Sequence, residues 1–246
     1  MLSPNENRTV GMLQPKTYPA LVGKALVLDA EPFLTLVEDD NPWVEGLFFV
    51  TCVGTLAAAA GLVGGLLLTA SLPDVGAVRE TLIQGVQHLL PLVAPAADAS
   101  AVETALRANW PWAAGVMGYG VGLARLFGAL LTPVGLVAQW LLLGLTAHAA
   151  AKVLGGTGKL GQTLGATALA SAPHVLAALT VVPFVTVPWL LLTVWRLLIA
   201  YRAVAVAHDL PWQRAALAVL AAPALLLLLA VVGAALMGLL MALGGV

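Results

Sequence analysis

The residues best suited to chemistry in this 246-residue chain are a glycine–lysine loop, four histidines, one cysteine and an arginine set in an apolar run. The loop reads GGTGKLGQT from Gly155 to Thr163. Glycine-rich backbone beside a lysine can cradle a phosphate, but a Walker loop places glycine five residues before the Gly-Lys pair and a hydroxyl after the lysine. Val153 and Leu160 stand there instead, so the glycines read as a sharp turn that Lys159 anchors at a membrane face. His148 and His174 fall in or near apolar stretches, where an imidazole is ordinarily hydrogen-bonded into helix packing and, less often, ligates a tetrapyrrole. His88 belongs to an amphipathic segment and His208 precedes Asp209 in a polar turn. No His-x-x-His or Glu-x-x-His pattern is present, and no metal site is expected. Cys52, being alone, supports neither an intrachain disulfide nor a cysteine-based metal site and reads as a small core side chain. Ser171 lacks a Gly-x-Ser-x-Gly elbow and no aspartate lies in an apolar run, which argues against hydrolysis. Intramembrane charge is the default marker of transport or proton transfer. After Glu103 the only acid is Asp209, in a loop; Arg196 is the exception, read as lying on the inner half of a span, where it snorkels inward or pairs with Glu45. No catalytic, cofactor-binding or metal-ligating residues are expected.

The elements that must position these residues follow from composition. A chain 61% hydrophobic and 9% charged belongs in a bilayer, since soluble domains carry roughly 25% charged residues. Five apolar spans are read at about 46–69, 126–150, 164–182, 185–206 and 211–240, giving an all-α, polytopic five-helix membrane domain over 43–246. Residues 1–42 carry five prolines and nine charges and read as a mobile tail leading into a short amphipathic helix within 18–37. No cleaved secretory signal is expected. Between the first two spans an insert, 71–125, holds Val78, Leu82, Val86 and Leu90 at helical spacing opposite Arg79, Glu80 and Gln87, the pattern of an interfacial helix. Ser100 and Glu103 read as a capping box opening a second short helix. Residues 115–122, with four glycines, read as an interfacial or re-entrant lead-in, and Pro133 as a kink or first-turn residue. Ala57, Gly61 and Gly65 form a small-residue ridge suited to close helix approach or self-association.

Five spans put the termini on opposite faces, and basic residues in short loops set the orientation. With the N-terminus inside, Lys152, Lys159, Arg202 and Arg214 fall on inner loops, whereas the outer turn near Pro183 carries no basic residue. The N-terminus is therefore expected in the cytoplasm. No basic cluster could neutralise several phosphates, so nucleic-acid binding is not expected.

Gly-Gly-x-Gly-Lys-x-x-Gln-Thr at Gly155–Thr163, Ala172-Pro173, Trp195, Arg202-Ala203-Val204, His208-Asp209-Leu210 and Arg214-Ala215 together resemble the Yip-one domain family of Ypt/Rab-interacting integral membrane proteins. The resemblance runs from about Gly46 to the C-terminus and is sharpest over Lys152–Ala215. It implies a five-helix bundle with a cytosolic N-terminus. Eukaryotic relatives resemble adaptors that bind small GTPases and one another; the short, plain N-terminal region here looks like that of a prokaryotic member. The expected function is a non-enzymatic scaffold of a bacterial cytoplasmic membrane that contacts the bilayer and binds other membrane proteins or itself. Its expected interaction loops comprise Gly155, Gly156, Gly158, Lys159, Gln162, Arg202, His208, Asp209 and Arg214. Alternatives are a lipid or small-solute translocating protein built on Pro133, Pro173, Pro183 and Pro188, and an accessory subunit holding pigment or haem through His148 or His174.

Overall fold

The computed structural model describes residues 15–94, 98–114 and 123–244. Among these the chain is helical with no strand: α1 (Tyr18–Leu26), α2 (Glu31–Val37), α3 (Pro42–Ser71), α4 (Val75–Val93), α5 (Ala99–Ala114), α6 (Leu123–Val153), α7 (Leu160–Ala168), α8 (Trp189–His208) and α9 (Trp212–Gly244). A 3-10 segment, Leu169–Val181, continues α7 directly. Five stretches are long and apolar enough to cross a membrane: Pro42–Ser71, Leu126–Val153, Leu160–Val181, Trp189–His208 and Trp212–Gly238. These are the five spans expected from hydropathy. The lead-in expected at 115–122 lies outside the described residues.

Pro188 moves the start of the fourth span from 185 to Trp189. It precedes the fourth span instead of lying inside it, with a ψ of 127°, a place where the missing N–H breaks no helical bond. The link after Val181 is therefore longer than the very short turn expected, and Phe184 adopts a left-handed φ of 66° within it. With α8 starting at Trp189, Arg196 sits nearer the Trp189 end than the His208 end.

Contacts divide the chain into two compact units. The first comprises Met1–Leu56, Thr132–Val175 and Pro188–Val246. In lipid, apolar burial does not favour one helix contact over another, and small residues that let backbones approach take over. Ala200, Ala203 and Ala207 on α8, and Ala215, Ala218 and Ala222 on α9, are all buried at helical spacing. Close approach recurs where α3 crosses α6, since a Cβ on Gly54 would lie 2.6 Å from Pro133 Cα. α1 and α2 pack in this same unit, burying Ala25, Phe33 and Leu36. The single short helix expected there is thus two, separated by Leu28 at a φ of 63°. The long 3-10 segment, of a kind rarely exceeding four residues, follows from Pro173 and from hydroxyls that take up helix carbonyls: Ser171 Oγ donates to Ala168 O at 2.7 Å and Thr167 Oγ1 to Thr163 O at 2.7 Å.

The second unit comprises Ala57–Leu131 and Leu176–Val187. Here α4 packs against α5 through a charged latch: Arg107 donates to both oxygens of Glu80, at 2.9 and 3.0 Å, and to Glu103 at 2.9 Å. The buried residue of α4 is Ile83, 4% exposed, while Leu82 is 43% exposed. Ile83 lies outside the face read as interfacial, which leaves Leu82 exposed. The cap of α5 is also displaced: Asp98 Oδ1 accepts from the Ser100 and Ala101 N–H groups and from the Ser100 hydroxyl, and Glu103 turns to Arg107 and Gln87. A carboxylate is the better acceptor for free helix N–H groups, so it displaces the expected Ser100–Glu103 box. On α3, Gly64 makes the close approach, its would-be Cβ 1.9 Å from Thr180 O, whereas Gly61 of the expected ridge faces open space.

Candidate functional site

At the C-terminal end of α6 the chain turns through a glycine cap. Gly155 takes a φ of 92°, Gly156 N–H donates to Ala151 O at 2.8 Å and Gly155 N–H to Lys152 O at 3.2 Å. This is a Schellman ending, which requires the left-handed residue that glycine supplies without strain. α8 ends in a similar way on Asp209, φ 53°, with Leu210 N–H reaching back to Ala205 O. Asp is among the few residues that tolerate this conformation.

The two turns are stitched to each other. The last carbonyls of a helix lack internal partners. Thr157 donates twice to the His208 carbonyl, through its N–H at 3.2 Å and its hydroxyl at 3.3 Å. Arg214 Nη1 donates to Leu154 O at 3.1 Å, so the start of α9 closes the end of α6. The loop lies so flat on α8 that a Cβ on Gly158 would meet Ala207 O at 2.1 Å, and one on Gly156 would meet His208 Nδ1 at 2.6 Å.

Beneath the loops lies a hydroxyl shared by two imidazoles. Thr163 Oγ1 is 3.1 Å from Lys159 O, 2.9 Å from His148 Nδ1 and 2.8 Å from His208 Nε2. The carbonyl can only accept, so the hydroxyl donates to it and its lone pairs receive an N–H from each ring. The assignment leaves His208 Nδ1 unprotonated, buried without a partner, and packed on Gly156. The rings lie 5.1 Å apart at 49°. Lys159 opens α7 and its N–H donates to Gln162 Oε1 at 3.0 Å, the half of a capping box that a lysine N-cap can make.

The N-terminal helices are tied to the same unit by three polar contacts. Gln162 Nε2 reaches Val37 O at 3.4 Å, and Trp195 Nε1 donates to Leu26 O at 2.9 Å. Tyr18 OH donates to Glu45 Oε1 at 2.6 Å. Glu45 is only 1% exposed and its second oxygen has no partner. Burial, then the hydrogen bond and charge of Glu45, push the Tyr18 phenol above its ordinary range. Of the two alternatives for Arg196, the pairing with Glu45 does not occur: Tyr18 takes the carboxylate and Arg196 Nη1 donates to Gln139 Oε1.

Of the nine residues expected to form interaction loops, the structure brings most to one end of the first unit but divides them between interior and surface. Gly158 and His208 are buried, His208 at 0% exposure, and act as the seam between the loops. Gly156 is half-buried beside them and Gln162 is half-buried under α2. Gly155, Lys159, Asp209 and Arg214 are exposed, accompanied by Lys152, Val153, Leu160 and Trp212. Arg202 is half-buried on α8 and makes none of these loop contacts. Sequence reasoning left Thr157, Thr163, Tyr18 and Gln139 without a role. Their signal was that each is a lone polar side chain whose partner lies far along the chain. His174, the other candidate tetrapyrrole ligand, has Nδ1 3.2 Å from Ser171 O, and among the described residues no group of three His, Cys, Asp or Glu side chains could hold a metal.

Five apolar helices closed at one end by tightly stitched loops define a multi-pass α-helical membrane protein. A profile of the Yip1 domain matches residues 25–235, and the chain belongs to that family. Comparison with curated proteins and with solved structures gives no match.

Proposed function

We propose that the protein is a non-enzymatic scaffold of a bacterial cytoplasmic membrane, with its N-terminus inside, that binds other membrane proteins through the stitched loop end. The observation that carries this reading is the division of labour within the loops. Thr157, Thr163, His208 and the glycines are consumed in holding two backbone turns together. Around them Lys152, Lys159, Asp209 and Arg214 stand at the surface beside exposed apolar Val153, Leu160 and Trp212, the last at 65% exposure. A rigid platform edged by charges and one large aromatic suits docking, because few side chains need ordering on contact. In this reading α4 and α5 lie in a headgroup layer, with Leu89, Leu92 and Trp112 exposed.

Crosslinking in native membranes followed by affinity purification tests the proposal. The intact chain should carry a reproducible membrane-protein partner, and the pair Lys159→Glu and Trp212→Ala should lose it while remaining monodisperse. A strict monomer, or a partner retained by that double variant, counts against it. A cysteine at Lys159, with Cys52 replaced by Ala, should react with an impermeant maleimide only from the cytoplasmic side.

A further inference from the structure

We infer that the cleft between α6, α8 and α9 is a binding site for the phosphate of an anionic phospholipid, recognised by Arg196 and Gln139. The cleft is about 240 Å³ in volume, and Gln139, Thr193 and Arg196 are its polar members amid Leu142, Leu197 and Leu226. All these residues belong to the first compact unit.

Three observations lead to this ligand class. First, the charge is uncompensated. Arg196 bonds the neutral Gln139 amide, and α6, α8 and α9 contain no aspartate or glutamate at all. A guanidinium keeps its charge in proteins, and a charge inside a span marks a functional site by default. Second, donors outnumber acceptors among the free polar groups. Gln139 Oε1 is occupied by Arg196, which leaves the amide NH₂ and the rest of the guanidinium fork; the Thr193 hydroxyl proton is already given to Trp189 O at 2.8 Å. A donor-rich, singly positive pocket complements an anionic oxygen, and a planar fork matches phosphate.

Third, the depth suits a lipid. At 1.5 Å per residue, Gln139 lies about 21 Å from the loop end of α6, Arg196 about 18 Å from that of α8 and Leu226 about 21 Å from that of α9. Three independent measures place the cleft roughly two-thirds across a ~30 Å hydrocarbon core, within a headgroup's reach of the face at the Trp189 end. Helical side chains lean toward the helix N-terminus, which carries the guanidinium toward that face. Trp189, exposed there, suits the headgroup layer. The leucine walls would take the upper acyl chain.

The test is native mass spectrometry of the full chain in mild detergent, titrated with phosphatidylglycerol, phosphatidylcholine of the same chains, or inorganic phosphate. Phosphatidylglycerol should bind at one site, in preference to phosphatidylcholine, and millimolar inorganic phosphate should not displace it. Arg196→Gln should weaken phosphatidylglycerol binding by roughly ten- to hundredfold, the scale of a lost charge-assisted bond, down to the phosphatidylcholine level. This variant removes a charge from a span and should fold, as size exclusion and circular dichroism will report. Gln139→Leu keeps the charge and should weaken binding by a smaller factor. Equal retention of the two lipids, or unchanged binding in Arg196→Gln, overturns the inference. Displacement by inorganic phosphate assigns the site to a free anion and overturns the lipid assignment.

Discussion

At the scale of single residues, the chain invests its few polar side chains in closing backbone. Gly158 is the sharpest case, because Ala207 O stands where its Cβ would be. Gly158→Ala should cost more than the ~1–3 kcal/mol of ordinary overpacking, since the obstacle is backbone. Gly161→Ala, three positions on in the same loop-helix junction, finds its nearest atoms at 4.0 Å and should stay within about 1 kcal/mol of the parent. Thermal unfolding in detergent compares the two. Thr163→Val strands two imidazole N–H groups and should cost about 1–3 kcal/mol, while Thr163→Ser keeps the hydroxyl and most of the stability. The turn at Gly155–Gly158 was readable from the sequence because glycine content is local, whereas the Gln162 cap on Lys159 came only with the structure. The inward placement of His208 was not readable either. Its partners, Thr163 and Thr157, are 45 and 51 residues away, and no local spacing reveals such a pairing.

At the scale of elements, hydropathy located the spans but not their faces. Length and apolarity suffice to find a helix that crosses lipid. The helical spacing of Val78, Leu82, Val86 and Leu90 on α4 marks an apolar face but does not say that Ile83, outside it, is the residue the protein buries. The α5 cap shows the same limit, since Asp98 and Ser100 are both good N-cap residues and only geometry chooses between them. Asp98→Ala should therefore speed amide exchange across the first turn of α5, and Ser100→Ala should do so much less. The Ser100 hydroxyl and backbone bonds to Asp98 hold that carboxyl below its ordinary range, so acidification through the low end of the carboxylate range should mimic Asp98→Ala. Equal exchange rates in both variants would return the cap to Ser100.

At the scale of the molecule, the first compact unit includes α1 and α2, which composition had set apart as a tail. The apolar stretch 18–37 was legible, but not that Tyr18, Ala25, Phe33 and Leu36 are buried in it by two short helices that belong to this unit. The Tyr18–Glu45 bond gives this docking a pH signature. The folded phenol holds its proton more tightly than an unfolded one, so its contribution is complete below the model-compound value of 10.0 and declines as pH rises beyond it. Exposure of α1 to a protease should therefore increase above about pH 10 in the parent. In Tyr18→Phe it should be higher already at neutral pH and lose that alkaline step. A parent as resistant at pH 11 as at pH 7 would show that the contact does not hold the helix.

The reciprocal stitching of the loops also has a temporal meaning. Leu154 O waits for Arg214, and Thr157 waits for the His208 carbonyl, so the turn after the α6 span is completed only by residues made 51 to 60 positions later. Until α8 has been made and α9 begun, the locally capped turn lacks these two partners. A chain ending before Arg214 therefore leaves the Leu154 carbonyl without the partner that the full chain supplies.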